Sequence, residues 1–458
     1  MSVDTDHWGR RLAALAEEHG VPGATLGILR TGPDGDELAE AAYGVLNLRT
    51  GVDVTTDSVF QIGSITKVWT ATMVMQLVDE GRLDLDAPLL EVMPELRVGD
   101  PEVTKRLTMR HLLVHTSGID GDILTDTGRG DDCLEKYAAL LADAAQNHPL
   151  GATWSYCNSG YSLAGRVIEK LTGGTWDAAL RERLITPLGL THTGTLPEEA
   201  LLFRAAVGHL TEDGTTVPAP VWGIPRSAGP AGAIIATAAD LLGFARMHLR
   251  QGQAPDGTQV LSAAATAAMA EFQADLPDKY TLGDSWGLGW ERMGWGRHRL
   301  IGHDGNTIGQ AAFLRLLPER GVAVALLTNG GNSRKLYEEL YREIFDELAG
   351  AKLPHPLGPP DEPVEVDPAP YVGVYERASV RQEVLVGENG PVMRVGLTGP
   401  LAEVLQDQDA DYPMVAVAPD LFVCQDPETG NWVPATFYQL PSGERYVHFG
   451  ARATPRRA

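Results

Sequence analysis

Cysteine is scarce: Cys133, Cys157 and Cys424 are the only three in 458 residues, too few and too scattered for a disulfide framework or a zinc site. The twelve histidines show no HExxH or comparable metal spacing, so no metal and no cofactor is expected. Long apolar runs are missing as well. No stretch reaches the roughly 18 residues of a membrane helix, and the N-terminus, MSVDTDHWGRRLAALAEEHG, lacks a basic region followed by an apolar run. A soluble, cytoplasmic chain with no membrane partner is the expectation. Basic residues are also short, 37 Lys and Arg against 61 Asp and Glu. The net charge of -24 argues against a nucleic-acid partner and otherwise means solubility.

The chain does have the means to build a sizeable core, with 43% hydrophobic residues, over a length that suits two or three domains. Residues 60–81, FQIGSITKVWTATMVMQLVDEG, organise it. After Phe60, Gln61, Ile62 and Gly63 the sequence delivers Ser64, and then an almost unbroken apolar run to Gly81. This predicts a buried helix that begins at Ser64 and is stopped by a glycine. Lys67 follows Ser64 by three residues, so hydroxyl and amine share one face of the first turn. Burial among Val68, Trp69 and Met73 and the positive end of the helix dipole would both lower the lysine pKa. A plain serine N-cap with a solvated lysine has the same spacing, so the pair alone does not decide.

Residues 8–19 have helical spacing, ended by Gly20 and Pro22, and Ala24–Arg30 and Leu38–Leu48 predict two strands around the TGPDGD turn. Helices and long loops follow to about residue 270. Ala311–Leu317 and Val322–Thr328, joined by PERG, predict a hairpin. Leu336, Leu340, Ile344 and Leu348 predict a helix from near Asn332 or Ser333 to Gly350. The order suggests an α/β domain, residues 1–352, with an antiparallel sheet, an inserted helical lobe and a cleft between them. LPHPLGPPDEPVEVDPAP, residues 353–370, is a stiff linker by composition. Residues 371–458 alternate short apolar runs with turns and fit a small β-barrel.

Three further stretches carry polar residues where chemistry could use them. TWSYCNSGYSLAGRVIEKLTG sets Tyr156 and Asn158 just before an amphipathic helix, LLVHTSG (residues 112–118) ends in a sharp turn, and LIGHDGNTIGQ puts His303, Asp304 and Gly305 at a strand edge. Singly, each reads equally well as a packed aromatic, a turn or a structural histidine. In this order they resemble the serine β-lactamase and penicillin-binding-protein superfamily, in the branch of class C β-lactamases, DD-peptidases and esterases. SITK matches its first motif, Tyr156-Cys157-Asn158 its second, and His303-Asp304-Gly305 a variant of its third.

The resemblance implies a class C β-lactamase-like α/β fold and assigns roles. Ser64 would be the nucleophile, with Lys67 and Tyr156 sharing its proton. Asn158 would orient Lys67 and bond the acyl side chain, and the backbone N–H groups of Ser64 and Asn306 would form the oxyanion hole. Gly305 would let substrate backbone approach the strand edge. Lysine is usual in this branch at the position of His303. A neutral imidazole anchors a carboxylate more weakly but can bond a tyrosine and pass a proton, so β-lactam hydrolysis is not the expected reaction.

More narrowly, GSITK, the Asp84-Leu85-Asp86 segment, GHDG and the appended lipocalin-like domain look like the stand-alone penicillin-binding-protein-type thioesterases, which release and cyclise nonribosomal peptides. The substrate would be a peptidyl thioester or another acyl compound, with a peptidyl carrier protein as a candidate partner. Asp304 and Arg452, the latter in HFGARA near the C-terminus, would read the incoming N-terminal residue. The alternatives are a general esterase, a D-aminopeptidase or amidase on the same residues, or a ligand-binding protein with a retired site.

Overall fold

Val322, Val324 and Leu326 belong to one hydrophobic core, and their neighbours Ala323, Ala325 and Leu327 to another. A strand apolar on both faces must lie between two layers, because its side chains alternate. The computed structural model, which describes residues 3–33, 35–212, 214–362, 364–388, 390–398, 409–426 and 430–457, shows that arrangement. The strands in question are β1 (Gly23–Gly32), β2 (Gly35–Asn47), β3 (Val52–Asp53), β4 (Ala274–Asp275), β5 (Ser285–Trp286), β6 (Glu291–Trp295), β7 (His298–Thr307), β8 (Gln310–Leu317) and β9 (Val322–Thr328). They form one antiparallel sheet in the order β3-β2-β1-β9-β8-β7-β6-β5-β4. The two ends of the chain segment thus meet in the middle of the sheet, where β1 pairs with β9.

Helix α1 (Thr5–Glu18) covers one face together with the last helix of this domain, α5 (Ser333–Ala349). The other face carries the helical lobe. Its central helix, α2 (Thr66–Asp79), is buried from Thr66 through Leu77. A helix buried all round must satisfy its polar side chains internally, and Thr70 donates to Pro230 O at 2.8 Å while Gln76 donates to Val260 O at 2.8 Å. Trp69 stacks on Phe244 of α4 (Ala238–Leu249), ring centroids 3.9 Å apart. Helix α3 (Asn158–Thr172) ends at Gly173 in the left-handed conformation, φ 81°.

Among the described residues, 353–370 have almost no regular structure, and eight antiparallel strands then follow in sequence order from Gly373–Arg377 to Arg452–Pro455. The Tyr375–Arg456 bridge and a 2.7 Å bond from Arg457 N to Val374 O bring first and last strands together, so the sheet is a nearly closed barrel. Tyr375, Val384, Met393, Phe422, Phe437 and Val447 fill it. The barrel docks on the segment before α3: Tyr156 N donates to Ala451 O at 3.0 Å, Ala453 N to Ser155 Oγ at 3.1 Å, and Thr153 shares a 2.9 Å bond with Tyr438. That docking places the C-terminal strand beside Tyr156.

Candidate active site

Gly63 has φ 51°, and a Cβ there would sit 2.7 Å from Asn306 N, so a glycine is needed for the chain to pass β7 at this point. Ser64 lies in a single 3-10 turn, Gly63–Ile65, and the α-helix itself starts at Thr66 rather than at Ser64. Lys67 is in its first turn and is fully buried. Its Nζ lies 3.0 Å from Ser64 Oγ and donates to Ala231 O at 2.7 Å. Burial first, and then the Arg452 cation, hold the amine well below its ordinary value. A neutral amine beside a serine hydroxyl can take its proton.

Tyr156 is hydrogen-bonded to Ser64, and burial pushes its hydroxyl far up, so it remains protonated and could pass a proton rather than stand as an anion. His115, in the HTSG turn, stacks on Tyr156 at 4.4 Å between ring centroids. Its backbone is left-handed, φ 61°, and its Nδ1 accepts the Cys157 N–H at 3.0 Å, which ties the turn to the tyrosine loop. Cys157 is a buried filler whose sulfur caps α3 by accepting the Gly160 N–H at 3.2 Å, and burial raises its thiol to about 11. Asn158 stands at the start of α3. The bond seen on its amide goes to Asp122 Oδ1 at 3.4 Å, and Lys67 is oriented by Ala231 O instead, which corrects the expectation that Asn158 holds the lysine.

On β7, neighbouring residues face opposite sides. His303 lies among Tyr156 and Trp286, with ring centroids 6.2 and 5.5 Å away. Asp304 points to the α5 face, where Arg315 Nη2 meets it at 2.6 Å and Arg334 Nη1 at 3.1 Å. Its carboxylate is therefore committed to two guanidiniums and is not offered to an incoming ammonium, as the sequence reading had it. A Cβ on Gly305 would fall 1.9 Å from Ile62 O and 3.0 Å from Ser64 N, so the glycine serves the approach of β7 to the Ser64 turn within the protein itself. Strand β6 pairs with β7 only as far as Gly302. Beyond that the edge is open. The Asp304 N–H points to this edge, and the two-residue alternation aims the Asn306 N–H the same way, next to Gly63 and the Ser64 N–H. Two backbone donors converging beside a nucleophile are the makings of an oxyanion hole.

Arg452, on the last barrel strand, stands over the Tyr156 ring, 4.8 Å from its centroid. Asp122 holds it with two bonds, 2.7 Å to Nη2 and 3.1 Å to Nε, and a second barrel arginine, Arg377, reaches the same carboxylate at 2.9 Å. Burial alone would raise the Asp122 carboxyl, but the guanidiniums, Arg452 foremost, outweigh it and hold it at about 2. Sequence reading missed Asp122 and Arg377, since neither lies in a motif. Among the described residues the one trio of metal-type ligands within reach of a single ion, Glu18, His19 and Glu339, lies at the end of α1, where His19 and Glu339 pair at 3.1 Å.

Several known proteins share this architecture. Residues 8–349 match the beta-lactamase family. Penicillin-binding protein 4 of Amycolatopsis lactamdurans is 52% identical over 380 residues, which are 82% of this chain and 99% of that protein. The crystal structure of SurE superimposes with a TM-score of 0.80 at 31% identity, over 99% of both chains, and SurE with D-Leu gives 0.75 at 30%. A D-stereospecific amidohydrolase from Streptomyces sp. matches 76% of this chain and 100% of its own, at TM-score 0.60 and 26% identity. This chain belongs to the beta-lactamase family and is a serine hydrolase of that fold with a C-terminal barrel.

Proposed function

We propose that the protein is a penicillin-binding-protein-type thioesterase that takes a peptidyl thioester onto Ser64 and releases it as a head-to-tail macrolactam. Lys67 accepts the Ser64 proton, directly or through Tyr156, as Oγ attacks the thioester carbonyl. The Ser64 and Asn306 N–H groups hold the oxyanion. The C–S bond breaks, and the thiolate leaves with the proton. In the second half the peptide's own amine attacks the acyl carbon, its proton returns to Ser64 Oγ through the same groups, and the C–O bond breaks. The observation that carries this reading is Arg452. A barrel cation fixed over the catalytic tyrosine narrows the cleft and offers a donor for a backbone carbonyl or carboxylate of the folded-back peptide, which hydrolysis alone would not require. The likeness to SurE over the whole chain, including a structure with D-Leu, supports a D-residue at the acyl end.

A second reading, an amidase or esterase acting on D-residues, is favoured by the likeness to the D-stereospecific amidohydrolase. Mass spectrometry separates the two after incubation with a D-ended peptidyl pantetheine thioester, its L-ended counterpart, a p-nitrophenyl ester and a penicillin. Cyclic product mainly from the D-ended thioester, lost in Ser64→Ala, supports the cyclase. Rapid ester hydrolysis with only linear acid from both peptides supports the hydrolase.

A further inference from the structure

The third motif places a ring with unequal surroundings in the centre. His303 Nδ1 lies 2.5 Å from Asp304 O and 3.5 Å from Glu291 Oε1. Both are acceptors, so the ring proton belongs on Nδ1. Nε2 is then a bare lone pair, buried and without a protein partner. Burial, and then Lys67, hold the imidazole down at about 3, so the ring is neutral. A buried acceptor left without a partner costs free energy unless a ligand completes it.

Glu291 anchors this arrangement. It is fully buried on β6, at the residue paired with Gly302 where the β6–β7 ladder stops. Its Oε1 accepts the Asp304 N–H at 3.0 Å, so one carboxyl oxygen fixes the residue whose carbonyl takes the Nδ1 proton. Burial, and then the Asp304 charge, push the Glu291 carboxyl up to about 8 against the pull of Arg315, which approaches Oε2 at 3.6 Å, and of Arg334; the group is mostly the neutral acid at pH 7, with Oε1, bonded by the Asp304 N–H, as its acceptor oxygen.

We propose that Glu291 is a positioning residue which, with the Asp304 carbonyl, holds His303 in its Nδ1–H form, so that Nε2 accepts a hydrogen bond from an N–H of the substrate, the attacking primary amine. This rests on the acyl-transfer reading above and adds a polarity to it. A lysine at position 303 would attract a carboxylate. The imidazole lone pair repels one and orients an amine donor, which favours aminolysis of the acyl-enzyme over hydrolysis. No bond to His303 forms or breaks.

The test has two parts. In the full chain labelled with 15N-histidine, with His303→Gln to identify the signals, the His303 ring at pH 7 is expected to carry hydrogen on Nδ1 and none on Nε2. A ring protonated on Nε2 overturns the proposal, whether or not the protein cyclises anything. The second part forms the acyl-enzyme from a D-ended p-nitrophenyl ester and lets D-alaninamide compete with water. The ratio of amide to acid is independent of the acylation rate. Glu291→Leu is expected to lower that ratio at least tenfold, and Glu291→Gln, which keeps an acceptor oxygen, to restore most of it. An unchanged ratio in Glu291→Leu, or a glutamine variant no better than the leucine one, overturns the positioning role. Failure to form any acyl-enzyme counts against the acyl-transfer reading instead, and the ring spectrum still decides the tautomer. Should the leucine variant not fold, Glu291→Met, which also lacks an acceptor oxygen, takes its place under the same expected and overturning outcomes.

Discussion

Asp122→Asn changes one atom and one charge at the junction between the two domains. In the native protein the carboxylate lies under Arg452 and Arg377, with bonds of 2.7, 3.1 and 2.9 Å. The gap between the ordinary 3.8 and the depressed position near 2 corresponds to ~2.5 kcal/mol of differential interaction. Breaking a buried ion pair costs about 3–5 kcal/mol, because the surviving cations are left uncompensated. Asparagine keeps an acceptor oxygen, so the expected loss is ~3 kcal/mol. The sign of the pH dependence follows from the depressed carboxyl: its contribution is complete above about 3.8 and is lost only as pH falls through about 2. Urea unfolding followed by tryptophan fluorescence should therefore show the same gap between variant and wild type at pH 7 and at pH 5. A gap below ~0.5 kcal/mol, the level of an ordinary surface substitution, or one that closes between those pH values, would refute the assignment of Asp122 as the clamp.

Gly305→Ala forces a methyl into Ile62 O and Ser64 N, so β7 must move off the Ser64 turn and acylation should fall by about 10²–10³, the effect of losing an oxyanion donor; an acylation rate within threefold of wild type shows the strand does not form that hole. Buried His303 and His448, each held at about 3, contribute stability that is complete above about 6.5 and is lost as pH falls towards 3. The free energy of unfolding should decline from pH 6.5 to 5 by up to ~1.4 kcal/mol per pH unit for each ring, and a flat profile there contradicts their burial as neutral rings. Arg452→Gln removes the cation that helps depress Lys67, so the acidic limb of the acylation pH profile, where the amine must lose its proton, should move to higher pH. An unmoved limb with altered product ratios would leave Arg452 a role in substrate binding alone.

The site was legible where chemistry is local in sequence. Ser64 and Lys67 sit three residues apart in one turn, and Tyr156-Cys157-Asn158 and His303-Asp304-Gly305 are contiguous, so their order along the chain carried the family resemblance that singled them out. The sheet was legible at β1, β8 and β9, whose apolar runs need two covering layers, and at β2 from the turn that precedes it. Asp304 was misjudged because its neighbour His303 faces the cleft. A strand turns successive side chains to opposite faces, and only the positions of Arg315 and Arg334 show where Asp304 goes. Asn158 was misjudged because the oxygen that holds Lys67 is the backbone of Ala231, and a carbonyl leaves no mark in a sequence. Asp122 is one of many acids in a loop. Its importance comes from two arginines more than two hundred residues later, and nothing in periodicity or spacing links them.

Those arginines explain why a barrel is attached at all. In the proposed reaction Lys67 can act as a base only while it is neutral, and burial provides most of that. Asp122 is close enough to act against it, since a carboxylate near the amine favours the protonated form. Arg452 lies against that carboxylate and also acts on Lys67 directly, in the direction opposite to Asp122. Ala451, just before the Arg452 strand, accepts the Tyr156 N–H, so the segment that sets the charge also sets the position of the tyrosine. A catalytic domain with Asp122 but without Arg377 and Arg452 would carry an unpaired carboxylate next to its base and a tyrosine loop short of an anchor. In the proposed reaction the C-terminal barrel would thus belong to the catalytic machinery, since its two arginines neutralise the acid beside the base.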